Sequence, residues 1–243
     1  MSKTKKILLI LLVIFLFILA GVVILMYSFT QGMKGDPDEE KKVRVQAEQY
    51  LVENFKEKTY VYDVLYDNMG NFDEFEYAAK VREEKYGTEF LVYSNVHTGK
   101  MEDSFISNKW RDDSEKEIKP YIEEKIGDVK SSVEMKEITD SNNYEEIQAK
   151  IGDSSELVVL FDREIGRELD IDPNHPKSYK EYDVAPSILL TIHRKKQDSD
   201  ENDFNSIIQS IKTDRALVRG ELIVNYVSID GVALEDDEWR KTF

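Results

Sequence analysis

The chain has 243 residues, no cysteine, and 49 Asp and Glu against 33 Lys and Arg, a formal net charge of −16. Without cysteine it can form no disulfide, cysteine–zinc centre or thiol nucleophile, and so acidic a molecule repels polyanions, which argues against nucleic acid as a partner. The same charge attracts cations and basic partners, and it also serves the plainer purpose of solubility.

The stretch from Ile7 to Tyr27 (ILLILLVIFLFILAGVVILMY) holds no charged, amide or proline residue over 21 positions. As a helix it reaches roughly 30 Å at about 1.5 Å per residue, the thickness of a bilayer's hydrocarbon core. Lys3, Lys5 and Lys6 precede it, and the first charge after it is Lys34. Positive charge before a first span stays inside, so the pattern predicts a single-pass transmembrane anchor with a cytoplasmic N-terminus and an extracellular remainder at the cell envelope. The alternative is a cleaved signal peptide. Its apolar run is usually about 7–15 residues long and ends in small residues, whereas this run is longer and Ser28-Phe29-Thr30 makes a poor site. Beyond the span, 30 basic side chains face 49 acidic ones, a net −19.

The expected organisation is a tip and anchor over residues 1–29, a linker over 30–42, an α+β domain over 43–127 and a second α+β domain over 128–243. The linker carries Gly32, Gly35 and Pro37. A helix from about Asp38 to Phe55 has its apolar stripe at Val43, Ala47, Tyr50, Leu51 and Phe55, with acids in its first turn. Four strands follow over residues 59–67, 74–83, 88–95 and 100–107, separated by short turns at Met69-Gly70, Tyr86-Gly87 and Thr98-Gly99. Short connections imply antiparallel neighbours, so the helix covers a four-stranded meander. Its Tyr and Phe at period two read as core.

Residues 110–127 are charged, with Ile118, Tyr121, Ile122 and Ile126 on one side. Pro120 disfavours helix before it, so a helix starting near Pro120 is expected, as the joint between the domains. The second domain reads strand, helix, strand, strand, helix, strand: residues 129–138, a helix stripe at Tyr144, Ile147 and Ile151 with Asn142 and Glu145 as a capping box, residues 157–161, residues 187–193, a helix with Phe204, Ile207, Ile208 and Ile211, and residues 221–229. That order matches a ferredoxin-like split βαβ module, a fold that hosts many functions and names none.

Ala47-Glu48-Gln49-Tyr50-Leu51, Asp63-Val64-Leu65-Tyr66-Asp67 and Tyr77-Ala78-Ala79-Lys80-Val81, behind a Lys-rich start and a single apolar run, resemble the YfjL-like membrane proteins of Bacillus-type Gram-positive bacteria. The resemblance is best over the apolar run and the first domain. It implies a single-pass protein with its folded part outside, and it transfers no catalytic residue.

Chemical motifs are sparse. His97, His175 and His193 fall in separate elements without metal-binding spacing. There is no GxSxG, P-loop or dinucleotide glycine pattern. With 49 carboxylates, acid pairs suited to glycoside hydrolysis are unavoidable and therefore uninformative. One loop resembles an EF-hand calcium loop: Asp170, Asp172, Asn174, Ser178 and Glu181 place oxygens at its first, third, fifth, ninth and twelfth positions. Against this, His175 stands where a glycine turns the chain, Lys177 replaces an apolar residue, and Pro173 and Pro176 stiffen the loop. Residues 162–183 otherwise form a long acidic connection suited to contact, and the acids from Asp198 to Asp203 suit the start of a helix.

These features lead to the expectation of a non-enzymatic, membrane-anchored binding or scaffold protein without a cofactor, acting on a protein partner or ligand. The alternatives are a hydrolase using a carboxylate pair, a calcium-binding ectodomain, and a ligand sensor. The span offers no small-residue interface beyond Ala20-Gly21 for a sensor's helix pairing.

Overall fold

The structure is a computed structural model that describes residues 19, 21–22, 25–26, 34–139, 144–152, 154–228, 232–234 and 238–243. Asp36 opens the first helix, α1 (Pro37–Asn54), by accepting the Asp38 N–H at 2.9 Å, and Pro37 stands at the first helical position. Pro is suited there because its missing N–H would have no partner in any case. The strands β1 (Thr59–Tyr66), β2 (Tyr77–Glu83), β3 (Glu89–Ser94) and β4 (Met101–Asp103) form a four-stranded antiparallel meander in sequence order. A β-bulge interrupts β1 between Val61 and Asp63, and the Arg44 guanidinium of α1 donates to the Val61 carbonyl at 2.9 Å.

The longest element among the described residues follows, α2 (Phe105–Ile126), 22 residues with Pro120 inside the helix. A fourth strand extending to Ser107 and a helix beginning near Pro120 were the expectations; the chain instead leaves the sheet at Ser104 and is helical from Phe105. Asp103 helps it start by accepting the Phe105 N–H at 2.9 Å. The proline forfeits one backbone hydrogen bond, but Phe105, Ile106, Trp110, Ile118 and Ile122 are all buried along the helix. Each such burial contributes about 1.5–3 kcal/mol, so the stripe outweighs the break.

Beyond α2 lie β5 (Val129–Ser131), α3 (Ser132–Thr139), α4 (Tyr144–Ile151), β6 (Ser155–Leu160), the short α5 (Ile165–Glu168), β7 (Ser187–Ile192), α6 (Asp200–Thr213), β8 (Glu221–Tyr226) and β9 (Trp239–Thr242). The five strands pair in sequence order, with β5 parallel to β6, β6 antiparallel to β7, β7 parallel to β8 and β8 antiparallel to β9. The ferredoxin-like expectation is therefore corrected. A split βαβ unit has a strand inserted between its two parallel strands, whereas here both crossovers join direct neighbours. The order of elements was compatible with either pairing; here β5, of three residues, lies at one edge and the six-residue strands β6, β7 and β8 form the centre.

The transmembrane helix expected from Ile7 to Tyr27 is also corrected. Crossing a bilayer takes about 20 consecutive apolar residues in one helix, and among the described residues no helix is long and apolar enough. Even α2 is charged along one side. Of that stretch only Leu19, Gly21, Val22, Leu25 and Met26 are described. The single-pass topology and the cell-envelope location are withdrawn with it. Lys3, Lys5 and Lys6 and the proposed cap at Asn142 lie outside the described residues.

One hydrophobic core joins the two sheets. Ala79, Val81, Phe90 and Val92 of the meander, the apolar side of α2, Leu157 and Val159 of β6, Ile188 and Leu190 of β7 and Phe204, Ile207 and Ile211 of α6 belong to a single buried cluster. Phe55, Phe90 and Phe105 meet as a ring trio with centroids 5.2–5.4 Å apart. Gly166 in α5 approaches so closely that a Cβ there would stand 2.9 Å from the Ile106 side chain.

Two buried carboxylates organise the polar framework with opposite electrostatics. Glu115 of α2 accepts the N–H and hydroxyl of Ser132 at the start of α3, at 2.9 and 2.7 Å, and the Val159 N–H of β6 at 3.0 Å. Because β5 ends at Ser131, this carboxylate takes the place of a missing strand partner. Burial pushes its pKa up, only partly offset by those donors. Asp200 has no exposed surface. It accepts both Arg194 guanidinium nitrogens at 2.7 and 2.8 Å, the Gln197 N–H and the Tyr226 hydroxyl. Burial alone would raise its pKa, but Arg194 and the other donors hold it below the ordinary 3.8.

The signs yield a test. Stability from Asp200 is present above its unfolded pKa and is lost as pH falls through its lower folded value. Stability from Glu115 is complete below its unfolded pKa and declines as pH rises through its raised one. Asp200→Asn should lower Tm at pH 7, with the gap to wild type narrowing at about pH 3. Glu115→Ala should cost about 3 kcal/mol by stranding three donors, roughly 6–12 °C in Tm. Glu115→Gln should flatten the fall in stability that wild type shows above the ordinary glutamate pKa. Thermal unfolding across pH measures all three.

Candidate functional site

The outer face of the meander, opposite α1, is half covered. The turn between β1 and β2 folds Phe72 and Phe75 over Ala78 and Tyr93, with ring centroids 4.8 Å apart for Phe72–Phe75 and 4.6 Å for Phe75–Tyr93. Arg163, from the connection after β6, sits 4.5 Å over Phe72 and pairs with Glu74 at 2.7 Å. The buried Tyr93 hydroxyl has no hydrogen-bond partner among the described residues, and burial raises its pKa.

The other half is an open cleft of about 600 Å³. Side chains at alternate positions make its floor: Tyr60 and Tyr62 on β1, Lys80 and Arg82 on β2, Glu89 and Leu91 on β3. Arg111 of α2 and Lys136 of α3 form its wall. Tyr62 lies across the sheet and donates its hydroxyl to Glu89 at 2.7 Å. Lys136 sits 5.3 Å over the Tyr62 ring, donates to the Tyr62 hydroxyl at 3.1 Å, and also pairs with Glu89. Arg82 reaches the same carboxylate at 3.8 Å, and Lys80 pairs with Asp63 at 2.8 Å, which lowers the Asp63 pKa. The lining carries four cations and two carboxylates, and Arg111 is held from behind by Asp112 at 2.8 and 3.0 Å, so the cleft is close to charge balance in a molecule of net charge −16. Such a surface suits carboxylate or phosphate oxygens, with tyrosine faces for apolar groups beside them.

A smaller cavity of about 240 Å³ brings Glu102, Asp103 and Asp170 near Arg167. This is the arrangement a carboxylate-pair hydrolase would start from. Here, however, the Tyr50 hydroxyl donates to Asp103 at 2.6 Å and the Phe105 N–H takes its other oxygen at 2.9 Å. Glu102 accepts Asn95 and Thr98 at 2.9 Å, and Arg167 stands 3.5 Å away. Burial raises the Asp103 pKa. Protein donors already hold both carboxylates in place.

The five oxygens of the calcium-like loop go to separate tasks. Asp172 accepts the Asn174 N–H at 2.9 Å and contacts the His175 ring at 2.8 Å; the His175 bond and the Asn174 donors hold its pKa down at about 2. Asn174 reaches out of the loop, donating to the Asn54 carbonyl at 2.8 Å and accepting the Lys56 N–H at 2.6 Å, so it caps the end of α1. Ser178 accepts the Lys180 N–H at 3.3 Å at the start of a single 3-10 turn, Tyr179–Glu181. Glu181 lies 4.0 Å from Lys177, and Asp170 is exposed with φ 49°. Among the described residues no group of three or more His, Asp or Glu is placed to hold a metal ion. The same connection is tied down further by Trp110, whose indole donates to the Lys177 carbonyl at 2.8 Å, and by the Tyr179 hydroxyl, which donates to Glu117 at 2.8 Å.

The cleft was not singled out from sequence. Lys80 and Arg82 share one face of β2 by the strand's period of two, but Glu89, Arg111 and Lys136 are distant in the chain and only the fold gathers them. Asn174→Ala should strip the cap from α1 and cost about 1–2 kcal/mol, read as a lower Tm and faster proteolysis within residues 162–183; an unchanged Tm would refute the capping role.

Comparison of the chain with protein-family models, with curated proteins and with solved structures finds no match in any of the three, and nothing in them identifies a YfjL-like family.

Proposed function

We propose that this chain is a non-catalytic binding protein whose contact surface is the open half of the meander's outer face, and that its partner presents anionic groups there. The observation that carries the reading is the gathering of Lys80, Arg82, Arg111 and Lys136 beside two exposed tyrosines in a chain with a large excess of acids. Against so acidic a background, a cleft whose cations match the carboxylates beside them is where an approaching anion meets the least repulsion and finds donors to exchange onto. Tyr and Arg are also the residue types enriched where proteins meet their partners.

The test is titration of the purified chain with poly-L-glutamate, followed by NMR or calorimetry, for wild type and the Lys80→Gln, Arg82→Gln double variant. The expected result is binding that weakens as salt rises and is lost in the variant. Each substitution gives up one ion pair, to Asp63 and to Glu89, which should cost no more than about 1 kcal/mol apiece, and the unperturbed remainder of the NMR spectrum shows that the fold is kept. Equal binding by both proteins, or none by wild type, overturns the reading.

A further inference from the structure

Resting on that reading, we infer that the cleft's partner is an extended protein segment carrying carboxylates on alternate residues. Lys80 and Arg82 stand two residues apart on one face of β2, with Ala79 and Val81 turned to the core. At a rise of about 3.3–3.4 Å per residue, their stems are spaced about 6.6–6.8 Å along the strand. An extended peptide presents alternate side chains on one face with the same period, so two carboxylates at positions i and i+2 match the two cations in register. The register of the sheet places Tyr60 directly opposite Arg82, and Tyr62 crosses toward Glu89, so tyrosine surface borders the basic row.

Three observations favour a peptide over the other anions. Small-molecule sites bury most of their ligand against largely apolar walls, whereas this cleft is open and its two tyrosines remain more than 40% exposed. A polyphosphate backbone would meet Glu89 and Asp63 inside the cleft and the molecule's own negative charge outside it; a segment with only two carboxylates meets far less repulsion. The cleft also already partners these cations with carboxylates, Lys80 with Asp63 at 2.8 Å and Arg82 with Glu89 at 3.8 Å, which shows the chemistry that the cations accept.

The experiment titrates the full chain, observed by NMR, with two blocked peptides of identical composition. One is Thr-Glu-Thr-Glu-Thr, with its carboxylates on one face when extended; the other is Thr-Glu-Glu-Thr-Thr, with them on opposite faces. A single-stranded oligodeoxythymidylate is the third probe. Engaging the second carboxylate should make the alternating peptide bind about two- to fivefold tighter, with shifts on β2 and β1, and the Lys80→Gln, Arg82→Gln variant should erase that difference. Equal binding of the two peptides, abolished by the variant, overturns the register argument and leaves anion binding standing. Binding of the oligonucleotide in preference to both peptides overturns the peptide while keeping the cleft. Failure of every probe on wild type removes both the inference and the reading beneath it.

Discussion

The two-sided burial of α2 is the constraint on which this fold depends. Its first turns lodge Phe105, Ile106 and Trp110 against the meander and the connection after β6, and its later turns lodge Ile118 and Ile122 toward the second sheet and α6. Among the described residues α1, of 18 residues, shares the meander's inner face, but no other helix packs against both sheets at this length. Glu115, on the same helix, then settles what apolar contact cannot: it fixes the start of α3 and completes hydrogen bonding at the point where β5 stops. Packing holds the helix between the sheets, and one buried carboxylate sets its register. The cleft is a consequence, because Arg111 reaches it from α2 and Lys136 from the α3 that Glu115 anchors.

Local pattern carried part of this architecture. The stripe Val43, Ala47, Leu51 and Phe55 marked α1 within a residue at each end, and the glycine turns marked the antiparallel meander, because both signals lie within one or two elements. The second helix was obscured by Pro120, whose local cost is real but is outweighed by the buried side chains on either side of it. Strand pairing in the second sheet depends on which strands are long enough to be central, a property of the assembled sheet. The apolar run from Ile7 to Tyr27 is conspicuous in composition, yet composition alone did not yield a described helix able to span a bilayer.

The sites show the same division. A spacing of oxygens within one loop suggested calcium, but Asn174 is committed to the end of α1, 120 residues away in sequence at Asn54. No local spacing reports so distant a partner. Conversely, the basic cleft assembles from β1, β2, β3, α2 and α3, and no one of these elements supplies more than two of its cations. The long connection over residues 162–183 looked like a surface for others. Much of its hydrogen-bonding capacity, through Arg163, Asn174, Lys177 and Tyr179, is spent inside the molecule.

The bulge in β1 bears on how this molecule avoids its own copies. A sheet edge rich in Thr, Tyr and Val is a template on which identical chains can polymerise. Here the ladder is broken between Val61 and Asp63, and the Arg44 guanidinium occupies the Val61 carbonyl beside the break. A second chain approaching that edge would find its register interrupted and an acceptor already taken. The meander can thus keep an aromatic, open face at high concentration without inviting fibrous growth along its rim.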